Sequence, residues 1–197
     1  MRNELSRTSA ICALTVACLA ATATAQAPAP AQGAPNIHAV EKPTYVTIPM
    51  EITVNRPAAE VWKRVGKYCD IAEWLQIGAG CKIIGGTDNE IGAIRSVASE
   101  VLVGKSEFSY TYTQTVFFQN RTGAAYNLYH GTLEARPVDA KTSRLLYTLI
   151  YDNSALADEA ARQKDVAGRR ATFERALQNM KTLAEGGTLP PPPARGK

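Results

Sequence analysis

After residue 44 the hydrophobic pattern changes period in one order, and that order constrains the fold more tightly than anything else in the chain. Residues 45–55 alternate, with Val46, Ile48, Met50, Ile52 and Val54 on one face and Thr47, Glu51 and Thr53 on the other, so they read as a half-buried strand. Pro49 cannot donate to a ladder, which places its amide position at an edge or a bulge. Asn55-Arg56-Pro57 turns the chain, and Pro57 suits a helix start. Val61, Trp62 and Val65 form the stripe of a short helix that ends at Gly66, and Asp70 can cap a second one carrying Ile71, Trp74 and Leu75.

Beyond Gly78-Ala79-Gly80 the period becomes that of strands. Residues 81–84, 91–98 and 100–103 are short, with a tight bend near Ser99. Gly104-Lys105 reads as a hairpin turn into 107–114, a loop passes through Arg121-Thr122-Gly123, and 126–136 and 144–152 supply two further strands. A last helix starts between Ser154 and Asp158 and runs to about Glu185, with Val166, Phe173, Leu177, Met180 and Ala184 at helical spacing. Gly168 inside it marks a bend, a close approach to the sheet, or a tolerated glycine costing up to about 1 kcal/mol. The expectation is an α+β domain: a curved seven-stranded antiparallel sheet around a long C-terminal helix, with two short helices after the first strand.

The ends belong to other business. Arg2 and Arg7 precede an apolar run from Ala10 to Ala21, and Ala23-Thr24-Ala25 is a small-x-small cleavage pattern, so residues 1–25 read as a signal peptide. The run is shorter than the roughly 20 residues of a spanning helix, so no stable membrane span is expected. Residues 26–43 read as a disordered Ala/Pro-rich linker and 187–197 as a disordered Pro-rich tail, leaving 44–186 as one folded domain. Export also bears on Cys69 and Cys81, the two cysteines outside the leader. An oxidising compartment favours joining them, for about 3 kcal/mol in the chain-entropy view; two buried free thiols are the alternative.

Charge and motif content exclude several functions. Removing Arg2, Glu4 and Arg7 takes the formal charge from +4 to +3 (two positive charges and one negative lost), and the remainder alternates in sign. No basic stripe carries interleaved aromatics, so no nucleic acid partner is expected. No cofactor is implied, and no metal site, since His38 and His130 are the only histidines and His38 lies in the linker. Ser-His-Asp, paired-carboxylate and nucleophilic-cysteine arrangements are likewise missing, and His130 falls with Glu134 on the face away from the helix. Asn120-Arg121-Thr122 matches a glycosylation acceptor, a tripeptide common by chance. The pattern sets no oligomeric state.

The order of elements over residues 45–185 resembles the helix-grip fold of the SRPBCC or START-like superfamily. The most distinctive residues are the opening Ile52-Thr53-Val54-Asn55-Arg56-Pro57-Ala58-Ala59-Glu60-Val61-Trp62, then Gly92-Ala93-Ile94-Arg95 and the apolar positions from Phe173 to Leu183. Ala98-Ser99-Glu100 leaves no room for the gating loop of the plant hormone receptors, so the bacterial polyketide cyclase/dehydrase and lipid-transport branch is the nearer likeness. That likeness implies a cavity between sheet and C-terminal helix for a hydrophobic small molecule, and a periplasmic or secreted bacterial protein.

Strand alternation nominates the cavity wall: Phe108, Tyr110 and Tyr112; Tyr129, Gly131 and Leu133; Tyr147, Leu149 and Tyr151; with Phe173 and Leu177 from the helix. Gly131 would leave volume there, or else mark a bulge. Arg95, if it points inward, is an anchor for a ligand carboxylate or phosphate, with Glu100 as a second charged candidate. The sequence therefore favours an exported carrier of a lipid or polyketide-like molecule. The alternatives are a cyclase or dehydratase using Arg95 and tyrosines, and an interaction domain with a filled core.

Overall fold

The computed structural model describes residues 42–114 and 128–192, and the structural statements below concern these. The signal segment, most of the linker, the Asn120 tripeptide and the first residues expected of the sixth strand lie outside them. β1 (Tyr45–Val54) buries Ile48, Met50 and Val54, as its alternation requires. The Pro57 carbonyl accepts from the Glu60 and Val61 amides and opens α1 (Ala58–Val65), which Gly66 ends; α2 (Ile71–Trp74) is one turn. Asp70 precedes α2 without capping it, because its carboxylate turns back to accept from the Lys67 amide at 2.9 Å.

Six strands then run as a meander: β2 (Ile83–Gly85), β3 (Ile94–Arg95), β4 (Glu100–Ser106), β5 (Ser109–Gln114), β6 (Tyr129–Pro137) and β7 (Ser143–Asp152). They pair antiparallel in the order β1-β7-β6-β5-β4-β3-β2. The α1–α2 connection therefore carries the chain from one edge of the sheet to the other. α3 (Glu159–Ala184) closes the domain. The Asp158 carboxylate caps it by accepting from the Ala161 amide at 2.7 Å, and Gly186, at φ +86°, ends it. Past the helix Leu189 packs against the core and the Pro190 carbonyl accepts from Gln76.

α3 buries Phe173, Ala176, Leu177, Met180 and Leu183, and Asn179 donates to the Trp74 carbonyl at 2.9 Å, tying the helix to α2. It also covers the open edge of β1. Pro49 offers no amide there, Arg170 donates to the Pro49 carbonyl at 3.2 Å, and Lys181 to the Thr53 carbonyl at 2.8 Å. An edge so occupied is a poor template for another strand.

Three local expectations are corrected. Gly104 and Lys105 lie within β4, where the register slips between Leu102 and Gly104, and the chain turns instead at Glu107-Phe108. The extra residue is absorbed as a bulge, a common use of glycine in a strand. β3 is only two residues long, because positive φ at Gly92, Ala98 and Ser99 breaks the extended run on both sides. Gly168 makes no close approach to the sheet: a Cβ there would find no atom within 4 Å.

The β3–β4 bend is strained, since Ala98 and Ser99 sit at φ +51° and +50° and neither is glycine. Such a conformation costs an alanine roughly 1–2 kcal/mol, and asparagine tolerates it better. Ala98→Asn should therefore raise the melting temperature by a few degrees in thermal unfolding followed by circular dichroism. An unchanged or lowered midpoint would show that the bend stores no strain.

Candidate functional site

Arg95 points inward. The guanidinium is fully buried, bonded through Nε to Glu100 Oε2 at 2.7 Å and through Nη1 to the Tyr68 carbonyl at 2.6 Å, with Nη2 2.5 Å from the same carboxylate. The other carboxylate oxygen accepts from Gln114 at 3.3 Å. The pair faces itself across the strained bend, because Arg95 opposes Glu100 in the β3–β4 ladder. Around it stand rings: the guanidinium carbon lies 4.3 Å from the Tyr68 centroid, 4.6 Å from that of Tyr112 and 5.9 Å from that of Tyr110. Burial pushes the Glu100 carboxyl up while Arg95 pulls it down. The arginine is thus committed to the protein, and its place as a ligand anchor is taken by Glu100.

The expected wall residues come together on the concave face, and they are closed over. Tyr112 and Tyr147 share a hydroxyl–hydroxyl bond of 2.8 Å, and Tyr147 meets Phe173 at 4.5 Å between centroids and Trp74 at 6.1 Å. Gly131 does not leave a hollow. The Tyr112 ring lies directly over it, so that a Cβ at 131 would overlap the ring. Leu133, Leu149, Tyr151 and Leu177 are at most 1 % exposed, so no water-sized space adjoins them. At the far end Tyr151 donates to Asp165 at 2.6 Å, and Arg169 bridges Asp165 and the Tyr129 hydroxyl. The open hollow expected beneath the helix is therefore filled along Tyr112, Tyr147 and Phe173. Phe108 is not in the strand face with Tyr110; it occupies the β4–β5 turn, half-buried, its carbonyl accepting from Ala135.

Open volume lies beside the core. A groove of about 380 Å³ runs between α1 with residues 66–68 on one bank and the β4–β5 hairpin on the other. Trp62, Tyr68, Leu102 and Tyr110 make its walls, with Tyr68 edge-on to Tyr110 at 5.5 Å and Trp62 at 5.7 Å from Tyr110. Gly66 is needed for space, since a Cβ there would overlap the Trp62 indole. Tyr110 was the one groove residue foreseen. Trp62 reads as part of a helix stripe and Tyr68 falls between the two short helices, and no periodicity reveals that a hairpin tip will face them. The groove joins the buried cluster through Tyr68 and Tyr110, which also flank Arg95.

Cys69 and Cys81 form a disulfide, which closes the segment holding α2 directly after Tyr68. His130 lies half-buried on the convex face, its pKa lowered by burial. Among the described residues no helix is long and apolar enough to cross a membrane, and no three His, Cys, Asp or Glu side chains gather as for a metal ion.

A curved seven-stranded sheet gripping one long helix, entered beside two short ones, is the helix-grip architecture. Residues 45–185 match the family described as polyketide cyclase / dehydrase and lipid transport, and the chain belongs to it. Among solved structures it is similar to the ZhuI aromatase/cyclase from Streptomyces sp. R1128, at 18% identity and a TM-score of 0.54 over 74% of this chain and all (100%) of that one. A protein from Thermobifida fusca shares 23% identity, with a TM-score of 0.52 over 73% of this chain and 97% of its own. The di-domain aromatase/cyclase BexL of the BE-7585A biosynthetic pathway shares 16% identity, with a TM-score of 0.52 over 71% of this chain and 46% of that one. At these identities the likeness is one of fold. No curated protein matches the sequence.

Two outcomes follow from the cluster. Glu100→Gln leaves a buried guanidinium without its counter-charge and should cost about 3–5 kcal/mol in urea unfolding, far more than an exposed exchange; a loss under 1 kcal/mol would mean the pair is not sealed. Burial raises the Tyr112 and Tyr147 hydroxyls well above their ordinary value. A raised folded-state pKa contributes stability below the unfolded value near 10 that is lost as pH climbs past it. Absorbance at 295 nm should then show tyrosines that ionise only together with alkaline unfolding. Full ionisation in a still-folded domain would contradict the burial.

Proposed function

We propose that this protein is an exported binder or carrier of a hydrophobic small molecule, a lipid or polyketide-like compound. The observation that carries the reading is the aromatic-walled groove of about 380 Å³, which meets the tyrosine interior at Tyr110. Its size falls within the range of roughly 300–1,000 Å³ typical of ligand pockets, and its walls are mostly apolar with a few polar groups at the rim. Behind it the interior is closed, with the Tyr112 ring resting on Gly131 and its hydroxyl bonded to that of Tyr147 at 2.8 Å. Membership in a family that includes lipid transport supports the same conclusion. Export is supported by the leader pattern of residues 1–25 and by the Cys69–Cys81 disulfide, which an oxidising compartment maintains.

The cyclase or dehydratase reading draws on the Arg95–tyrosine cluster and on the aromatase/cyclases of like fold. It is the weaker one, on two grounds. Arg95 already holds Glu100 and the Tyr68 carbonyl. Burial raises the pKa of the Tyr68, Tyr110, Tyr112 and Tyr147 hydroxyls further above neutral pH, whereas a general acid works best with its pKa near the operating pH. Neither group is poised to deliver a proton.

Mass spectrometry on protein isolated from its native compartment tests both halves of the proposal. The chain should begin at Gln26 and carry a copurifying apolar molecule released by organic extraction. A full-length chain starting at Met1 would remove export, and a ligand-free protein that also fails to take up apolar molecules would remove the carrier function.

A further inference from the structure

We propose that the groove between α1 and the β4–β5 hairpin binds a single-chain amphiphile with an anionic head, a carboxylate or a phosphate monoester. Its tail lies against Trp62, Tyr68, Leu102 and Tyr110, and Lys63 and Lys67 hold the head. The inference rests on the carrier reading and names the ligand class for it.

The distribution of charge around the groove selects the head. Four charged side chains line it: Lys63, Lys67, Lys105 and Glu107. Lys105 is engaged, its ammonium 3.0 Å from Glu90 Oε1 and donating to the Asn89 carbonyl at 2.8 Å. Lys63 and Lys67 are exposed, and neither makes an ion pair with any described residue. Lys63 lies in the last turn of α1 and Lys67 two residues past its end, on the same bank. Glu107 belongs to the hairpin tip on the other bank. An anionic head is thus drawn to the α1 bank and repelled from the hairpin tip, which gives the ligand one orientation. Two separate ammonium groups suit a carboxylate or phosphate as point charges, without the planar fork that an arginine would impose.

The walls select the rest of the molecule. Trp62 is held as a wall by Gly66, whose missing side chain lets the indole fold back against the chain between the two lysines. Tyr110 and Leu102 face it from β5 and β4, and Tyr68 closes the inner end. An alkyl chain buried there gains about 0.8 kcal/mol for each methylene removed from water. Affinity then comes from the tail, and the choice among head groups from the lysines.

The test uses the mature protein and four probes sharing one tail: dodecanoate, dodecyl phosphate, dodecanol and dodecyltrimethylammonium. Binding is read by Trp62 fluorescence, with Trp62→Phe as the control that leaves only the buried Trp74, and by calorimetry. Dodecanoate and dodecyl phosphate should bind one to one, the neutral alcohol more weakly and the cation weakest. The preferred anion tells whether a fatty-acid-like or phosphate-headed ligand is the better fit. Lys63→Glu with Lys67→Glu, both on the exposed surface, should lower affinity for the anions about tenfold and raise it for the cation, since reversing two exposed charges swaps attraction for repulsion. Equal affinity for all four probes, or anion binding indifferent to the double substitution, overturns the proposal. If a native ligand copurifies yet its retention ignores both lysines, the groove assignment falls and the carrier reading stands. If no probe binds and nothing copurifies, both fall together.

Discussion

A guanidinium and a carboxylate, buried together, hold this domain to its shape. Arg95 and Glu100 lie on the neighbouring strands β3 and β4 and face inward without water to screen them. Moving both from water costs several kcal/mol per ion, recovered only where the geometry is good and the remaining polar atoms find partners. Those partners come from distant parts of the chain: the Tyr68 carbonyl from the connection between α1 and α2, Gln114 from the end of β5, and the faces of Tyr68, Tyr110 and Tyr112. The pair therefore fixes the helical connection to the short-stranded edge of the sheet. It also explains why a strained bend at Ala98-Ser99 persists, since that bend sets Glu100 opposite Arg95.

From this anchor the interior divides into two regions of different character. Under α3 the tyrosines satisfy one another, through Tyr112 with Tyr147 and through Tyr129 and Tyr151 with Arg169 and Asp165. The helix seals them by stacking Phe173 on Tyr147. Toward α1 the same aromatic surface continues as Tyr68 and Tyr110 but meets no covering element among the described residues, and the groove results. Tyr112 fills its place by resting on Gly131, where any larger residue would overlap the ring. A closed core and an open aromatic groove thus share Tyr68 and Tyr110 as a common wall.

Much of the fold was legible in the chain. The alternation from Val46 to Val54, the short stripes at Val61 and Ile71 and the spacing of Phe173, Leu177 and Met180 are local signals, and each element formed where its period placed it. Boundaries failed where glycine was ambiguous. Gly104 looked like a turn and became a bulge, because the register across β4 and β5 could absorb one extra residue. The facing tyrosines were readable as one concave set, since alternation assigns faces. Whether they surround space was not, because that depends on ring contacts between strands far apart in sequence.

By itself the sequence determined the order of elements, the inward face of the longer strands β1, β6 and β7, membership in a helix-grip family and the pairing potential of Cys69 with Cys81. All of these depend on periodicity or on short motifs, which act over a few residues. Only the tertiary structure decided that Arg95 turns inward onto Glu100, that Tyr112 occupies the room left by Gly131, and that an open groove lies beside Trp62. The reason is steric: a hollow is what several distant side chains fail to fill together, and no single stretch of chain records that remainder.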